Sequence, residues 1–334
     1  MRAKIKAMMK YWKFLILTAL VIFVSCGSDD EDNDTITVEL REPSEVYLEN
    51  MDEIETYLST HFYRVEETTS NPIFKQIVFD TIAGDNANEV SIMDSEELMM
   101  KTVDYEDLTY NLYYLKIREG NENEYQPTFA DRAILTYRGE NIDSLSTHLF
   151  DETTVPVSFD FPGTGSGGVI PGFHEGLSEF RGASGYTDNG DGTYNYNDDY
   201  GIGAVFIPSG LGYYYSAPTG SGINPYDPLI FTFQLYRGIQ MDHDQDGIPS
   251  YMEDLDNDKD LYEEDDDFDG DGSPNYLDTD DDGDGVLTAD EIEVNDANGD
   301  GIITEDEIIF TDTNNDGTPD YLDPDIAIEP EDEE

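Results

Sequence analysis

The chain has 334 residues, enough for about two domains with accessory segments. Its 77 acidic and 16 basic residues give a formal net charge of −61. That excludes the basic footprint nucleic-acid binding needs and fits a chain that takes up divalent cations or stays soluble in salt. Aromatic residues make up 12%, too many for an acidic disordered chain, so the middle of the protein should fold around a core.

The first segment reads as an address. Five bases (Arg2, Lys4, Lys6, Lys10, Lys13) precede an apolar run from Phe14 to Val24, a signal peptide by charge and length and short for a membrane span. It stops at Val24-Ser25-Cys26-Gly27, which is similar to a bacterial lipobox. Cys26 is the only cysteine, so no intrachain disulfide forms, and the expected mature N-terminus is a lipidated Cys26. The alternative is a chance cysteine after a short anchor. Ser28-Asp29-Asp30-Glu31-Asp32 resembles the acidic export signal of Bacteroidota surface lipoproteins. The expected location is therefore the outer membrane or cell surface, with a periplasm-facing lipoprotein as the alternative. Residues 1–25 are the leader and 26–45 an acidic tether.

Residues 46–64 have helical spacing, with Met51, Ile54, Leu58 and Phe62 on one apolar stripe. Residues 72–82 and 110–118 alternate as strands. From Thr128 onward, "RAILTYRG" and "VPVSFDF" read as strands, and "GGVIPGFHEGLSEF" as a turn entering a short helix with Phe173, Leu177 and Phe180 on one face. "GAVFIPSGLGYYY" reads as a strand and loop. "PLIFTFQLYRGI" is a closing strand with Leu229, Phe231, Phe233 and Leu235 alternating. Strands with one short helix predict an α+β antiparallel sheet wrapped over that helix. "GYTDNGDGTYNYNDDYG" (185–201) interrupts the pattern, and its Asn-Gly-Asp-Gly core predicts a hairpin tip.

No familiar catalytic set is present. His61, His148, His174 and His243 lack metal spacing, and "GTGSGG" at 163–168 lacks the Lys and helix of a phosphate loop. Five short motifs do occur in order: Tyr137-Arg138-Gly139, Phe150-Asp151, Val169-Ile170-Pro171-Gly172-Phe173, Ile207-Pro208-Ser209-Gly210-Leu211-Gly212-Tyr213 and Leu229-Ile230-Phe231. Across roughly residues 108–240 this ordered set resembles the FKBP-type peptidyl-prolyl cis-trans isomerases.

The resemblance implies a pocket lined by Phe150, Val169, Ile170, Phe173, Ile223 and Phe231, with Tyr137 and Tyr213 at its sides. The Ile170 N–H and Tyr213 hydroxyl would hold substrate carbonyls, and Asp151 would polarise the reacting amide. No cofactor is implied for isomerisation. Three positions depart from the family: Phe173 stands for its floor tryptophan, Tyr214 for the glycine after the loop tyrosine, and Val157 for a strand aromatic. Such a groove suffices chemically, because prolyl isomerisation breaks no bond and its barrier of about 18–20 kcal/mol comes from amide resonance. A dry aromatic pocket favours the twisted amide over the planar one. Residues 46–107 fall outside the match and read as an accessory α/β segment that lengthens the sheet or holds client protein.

Composition breaks near 241. From Asp242 onward there are 38 acids and one base, Lys259, in 93 residues, against 39 acids and 10 bases in 26–241. Residues 241–325 hold a repeat, ahead of an acidic end at 326–334. Carboxylate or amide oxygens recur at positions 1, 3 and 5, a glycine at 6 and an acid at 12, which is what calcium coordination asks for. The five copies are Asp242, Asp244, Asp246, Glu253; Asp267, Asp269, Asp271, Asp278; Asp280, Asp282, Asp284, Glu291; Asp296, Asn298, Asp300, Glu307; and Asp312, Asn314, Asp316, Asp323. A degenerate copy at Asp256, Asp258 and Asp260 lacks the glycine.

Three copies carry Pro249, Pro274 and Pro319 at position 8. Proline has no N–H to give a partner loop, and these copies resemble thrombospondin type-3 repeats. The other two, with Leu287 and Ile303, are closer to EF-hand or dockerin loops, and one short helix near 288–295 would join them. With so little apolar material, the stretch should fold only with metal, as a calcium-rigidified arm or rod. Two functions follow. One is a lipid-anchored isomerase for proline-containing exported clients, membrane-bound through Cys26, binding no nucleic acid and carrying a calcium arm. The other is a catalytically weak FKBP-fold surface binding or adhesion module with the same repeats.

Overall fold

The computed structural model describes residues 40–68, 71–143, 146–163 and 168–327. The expected leader, the expected lipidation site at Cys26, its acidic neighbours and the chain from 328 lie outside the described residues.

Pro43 opens helix α1 (Pro43–Thr60), where its missing N–H costs nothing and its fixed φ suits the first turn. Val46, Asn50, Met51, Ile54, Tyr57 and Leu58 form the buried stripe. The helix ends four residues before the spacing predicts. Thr60 donates its hydroxyl to the Thr56 carbonyl at 2.7 Å, and the His61 ring stacks on Tyr57 at 3.9 Å. The following run of aromatic and β-branched residues then extends. Phe62 is therefore buried from a strand, β1 (His61–Thr68), paired antiparallel with β2 (Asn71–Thr81).

β3 (Leu98–Tyr105) and β4 (Leu108–Arg118) begin the main sheet, so the sheet draws its first strand from the accessory segment, ahead of the motif-bearing stretch. β5 (Arg132–Asp143) and β6 (Ser146–Asp160) pair with bulges at Leu135/Tyr137 and Gly139/Glu140. The short helix α2 (Pro171–Leu177) follows, and the interrupting segment forms the hairpin β7 (Tyr186–Asp188) and β8 (Tyr194–Tyr196). β9 (Gly201–Ile207) and β10 (Leu229–Ile239) complete the sheet, whose order is β3-β4-β9-β10-β5-β6 with every neighbouring pair antiparallel.

This is the expected sheet wrapped over a short helix. All seven residues of β9 and the first eight of β10 are buried, because both sheet faces are covered. On one face Leu229, Phe231, Phe233 and Leu235 pack with Phe173, Leu177 and Phe180. On the other Ile230 and Tyr236 pack with Ile54, Tyr57 and Leu58 of α1 and Ile77 of β2. α2 lies close on β9 because of Gly172 and Gly176. A β-carbon there would come within 2.4 Å of Ile207 and 2.9 Å of Val205.

The acidic tail departs from an extended rod. It folds back, and its few apolar residues collect into two small cores. Leu261 and Tyr276 bury with Ala130 of the sheet domain, and Ile248, Ile292 and Ile308 with one another. The Tyr276 hydroxyl donates to the Gly163 carbonyl at 3.1 Å, and His243 Nε2 lies 3.0 Å from Asp160 Oδ1. The helix between the third and fourth loops is only α3 (Thr288–Glu291). β11 (Ile292–Val294) then pairs with β12 (Ile308–Phe310), so the exits of the two loops are joined by a ladder.

Candidate functional site

The five motifs converge on one groove over α2. Ile170, extended at φ −55° and ψ 140°, precedes Pro171 at the first helical position, and this turn drops Phe173 onto the sheet. Phe173 stacks on Phe231 with ring centres 4.4 Å apart. Phe150 meets Phe231 edge-on at 5.5 Å, and Tyr137 lies 6.1 Å from Phe231 and 6.3 Å from Phe173. Phe173 and Phe231 are buried, whereas Tyr137, Phe150, Val169, Ile170, Tyr213 and Ile223 are only partly covered. The result is a closed floor with half-open walls. The residues that the resemblance assigned to the pocket belong to or pack against one apolar cluster, and Asp151 meets it through Tyr137.

Asp151 is exposed and accepts a hydrogen bond from the Tyr137 hydroxyl at 2.5 Å. Burial first, then this bond, pushes the Tyr137 pKa up, so its hydroxyl stays protonated. Burial also raises Tyr213. The strand aromatic sought at Val157 is supplied by Phe159, with ring centres 5.3 Å from Tyr137 and 6.3 Å from Phe173. Residues 157 and 159 share a strand face, so the period of two could have found it.

The groove loop is held from an unexpected side. Tyr214, where the resemblance expected a glycine, has a left-handed φ of 47°. Its hydroxyl donates to the Arg41 carbonyl, and its ring packs edge-on against Tyr226 at 5.0 Å. Asn50 of α1, 3% exposed, accepts from the Ser209 N–H at 2.8 Å and hydroxyl at 2.6 Å and donates to the Tyr226 carbonyl at 2.9 Å. The accessory helix therefore fixes both ends of the loop carrying Tyr213 and Ile223. An asparagine on an otherwise apolar stripe was the signal for this role.

The tail loops share one geometry. The position-6 N–H donates to the position-1 carboxylate at 3.2 Å (Gly247 to Asp242), 2.9 Å (Gly272 to Asp267), 3.1 Å (Gly285 to Asp280), 3.0 Å (Gly301 to Asp296) and 3.1 Å (Gly317 to Asp312). Position 6 is left-handed, with φ from 74° to 104° across these glycines. The degenerate copy has the same geometry in a different register from the one its sequence suggested. Its loop starts at Asp254, with Lys259 at position 6 (φ 74°) donating its N–H to Asp254 at 3.1 Å. The Asp260 N–H bonds Asp258 at 2.8 Å, as the Ile248 N–H bonds Asp246 at 2.7 Å. Lysine at the glycine position hid the loop's register. Its side chain reaches Glu175 of α2 at 2.5 Å.

In the third loop Asp280 Oδ1, Asp282 Oδ2, Asp284 Oδ2 and Glu291 Oε1 are buried without hydrogen-bond partners. In the first, so are Asp244 Oδ2, Asp246 Oδ2 and both oxygens of Glu253. Burial first, then neighbouring carboxylates, pushes Asp246 up to about 7, Asp244 and Glu291 to about 8, and Glu253 well above its usual range. At neutral pH these groups require either protons or a cation. Oxygen-only donors of this number suit calcium, which takes six to eight oxygens. Calcium would let the carboxylates ionise together. The metal residues expected in the second, fourth and fifth loops are mostly more open to solvent, Asp323 being buried.

A family model described as "BamM C-terminal" matches residues 243–298, from just inside the first loop into the fourth. The match in the tail is thus to that family rather than to a thrombospondin type-3 or EF-hand repeat. No curated protein sequence shows significant similarity to the chain. Among solved structures, a peptidyl-prolyl cis-trans isomerase from Pseudomonas syringae is 15% identical, with a TM-score of 0.33, covering 60% of this chain and 100% of that one. FkpA from Escherichia coli is 18% identical, with a TM-score of 0.31, covering 58% and 60%. The N-terminal domain of FKBP42 from Arabidopsis thaliana is 14% identical, with a TM-score of 0.30, covering 42% and 93%.

Proposed function

We propose that the protein is an FKBP-type peptidyl-prolyl cis-trans isomerase for exported proteins, anchored through a lipid on Cys26 at the outer membrane or cell surface, with a calcium-loaded tail folded onto the catalytic domain. The observation that carries this reading is the groove. Phe173 and Phe231 form a dry floor, while Tyr137 and Asp151 present polar atoms at its rim. A proline ring seated on that floor places its preceding carbonyl among groups that favour the twisted amide, and excluded water withdraws support from the planar one. The chain's part is positioning and desolvation, since no bond is made or broken. The buried, unpartnered carboxylate oxygens of the first and third loops support calcium in the tail.

The test is a protease-coupled prolyl-peptide assay on the mature chain in millimolar calcium, with Phe231→Ala and Asp151→Ala beside it. Acceleration that falls strongly with both substitutions is the expected result. A wild-type rate equal to the uncatalysed one would overturn the isomerase reading. It would favour the binding or adhesion module, for which the occupied left-handed site at Tyr214 and the absent floor tryptophan speak. Calcium binding is measured separately by calorimetry.

A further inference from the structure

Asp281 has no role in the repeat pattern. It stands at position 2 of the third loop, and ligands in such loops come from positions 1, 3, 5, 7, 9 and 12. An exposed side chain would be the ordinary outcome. Asp281 is instead 2% exposed, and neither of its oxygens has a hydrogen-bond partner. It is turned into the first loop. One carboxylate oxygen each from Asp246, Glu253 and Asp281 lie within 4.8 Å of one another, and all three residues are buried.

The position-9 side chain of the first loop is already engaged. Its position 9 is Ser250, fully buried, and the Ser250 hydroxyl is engaged by the His243 N–H at 3.1 Å and by His243 Nδ1 at 2.9 Å. The same use of position 9 recurs. Asn275 accepts from the Phe268 N–H, Thr288 from the Asp281 N–H and Asp320 from the Thr313 N–H. Position 9 therefore closes the loop onto its own second residue, so its side chain is spent there and a donor from elsewhere can serve the ion. Packing brings the donor. Ile248 of the first loop buries with Ile292 and Ile308, and a β-carbon on Gly247 would sit 3.1 Å from Val294. β11 thus presses the third loop against the first.

We propose that the first loop's cation site is shared: Asp242, Asp244, Asp246 and Glu253 bind a calcium-class ion whose shell is completed by Asp281 from the third loop. This rests on the calcium reading of the tail and deepens it. Loops far apart in sequence become ligands of one ion, so the tail closes by chelation. A free-standing repeat binds its own ion whether or not its neighbours are folded, whereas this site exists only in the folded-back tail.

The test uses the mature full chain and calcium alone, by titration calorimetry. Asp281→Asn keeps the shape and removes the charge. It should weaken one site roughly tenfold or more and leave the others. Glu253→Gln should weaken the same site, and the double variant should affect no further site. Asp290→Asn, exposed on α3, should bind as wild type. Hydrogen exchange on the wild-type chain, which needs no variant to fold, should show residues 242–253 and 280–291 gaining protection in the same calcium step. Asp281→Asn binding as wild type, or the two segments gaining protection at separate steps, would overturn the shared site and leave the calcium reading intact. A wild-type chain that binds no calcium would remove both.

Discussion

Replacing Asn50 with alanine removes the tie between the accessory helix and the groove loop. Three hydrogen bonds are lost at once, those to the Ser209 N–H, the Ser209 hydroxyl and the Tyr226 carbonyl. Ser209 is 1% exposed, so water cannot replace its partner, and an orphaned buried N–H costs about 1–3 kcal/mol. Tyr226 is only half-buried, so water can take its carbonyl and that loss is smaller. The total destabilisation should be about 2–4 kcal/mol, on the order of 5–10 °C in melting temperature for a chain of this size. Thermal unfolding followed by circular dichroism in saturating calcium measures it. The prolyl-peptide assay should show a lower kcat/KM in the same variant, because Tyr213 and Ile223 ride on the loosened loop while the Phe173–Phe231 floor is untouched. Ser209→Ala, which gives up one bond, should cost about 1 kcal/mol. An Asn50→Ala protein that melts within a degree of wild type with unchanged turnover would refute the reasoning. The loop would then be held by Tyr214 and its contacts with Arg41 and Tyr226.

Phe231→Ala opens a cavity against Phe173, Phe150 and Tyr137, and should cost about 3–5 kcal/mol by urea unfolding. Burial lowers His174 to about 4, and its Nδ1 has no partner, so it folds neutral. The unfolded chain takes that proton first, near pH 6.5. The His174 contribution is therefore fully present above pH 6.5 and is lost as pH falls toward 4, a change on the order of 3 kcal/mol. His174→Gln should flatten that part of the stability–pH curve, measured as the difference from wild type, and an unchanged slope would discount it. Lys259→Gly relieves a left-handed backbone worth about 1 kcal/mol but takes one of two cations from the buried Glu175, so the two effects oppose each other and the net loss of stability should be modest. Lys259→Met loses the pair without the relief and should be the less stable of the two by denaturant midpoint.

Much of the groove could be read from the chain because it is built from contiguous motifs. Val169 to Phe173 is a turn into a helix in any context, and the alternation of Leu229, Phe231, Phe233 and Leu235 puts Phe231 on a buried face without knowledge of the neighbours. The loops were visible for the same reason, since positions 1, 3, 5 and 6 lie within one turn. What escaped depends on distant contacts. α1 stops at Thr60 because Tyr57 finds His61 and the next residues find β2, which outweighs a helical stripe that would have included Phe62. The sixth loop was seen as a degenerate copy but read two residues late, because a lysine at a left-handed position breaks the local rule and its compensation, Glu175, lies on α2. Asp281 escaped because its partners belong to a different copy of the repeat. The folded-back tail was missed because apolar residues too sparse to build a core within one repeat suffice when Ile248, Ile292 and Ile308 meet from three.

The groove is braced from two sides, and the two braces differ in kind. The accessory helix acts through neutral hydrogen bonds at Asn50, insensitive to salt and to metal. The tail acts through Glu175, a carboxylate 3% exposed on the helix that carries Phe173. Burial alone would raise Glu175, but Lys101 at 2.8 Å and Lys259 at 2.5 Å outweigh it and hold the group below its usual pKa. Lys101 belongs to β3 and stays whatever the tail does. Lys259 belongs to the tail loop that starts at Asp254 and leaves if that loop unfolds, so Glu175 would then keep one cation where it had two. A buried carboxylate short of a partner either takes a proton or turns toward water, and either response moves the helix that seats Phe173. If the tail holds metal, this carboxylate is one link between it and the helix that seats Phe173, beside the Tyr276–Gly163 and His243–Asp160 contacts. Chelator should therefore lower prolyl-peptide turnover more in the wild-type chain than in Lys259→Met, whose contact is already gone. Equal losses in the two proteins would show that the tail influences the groove by another route.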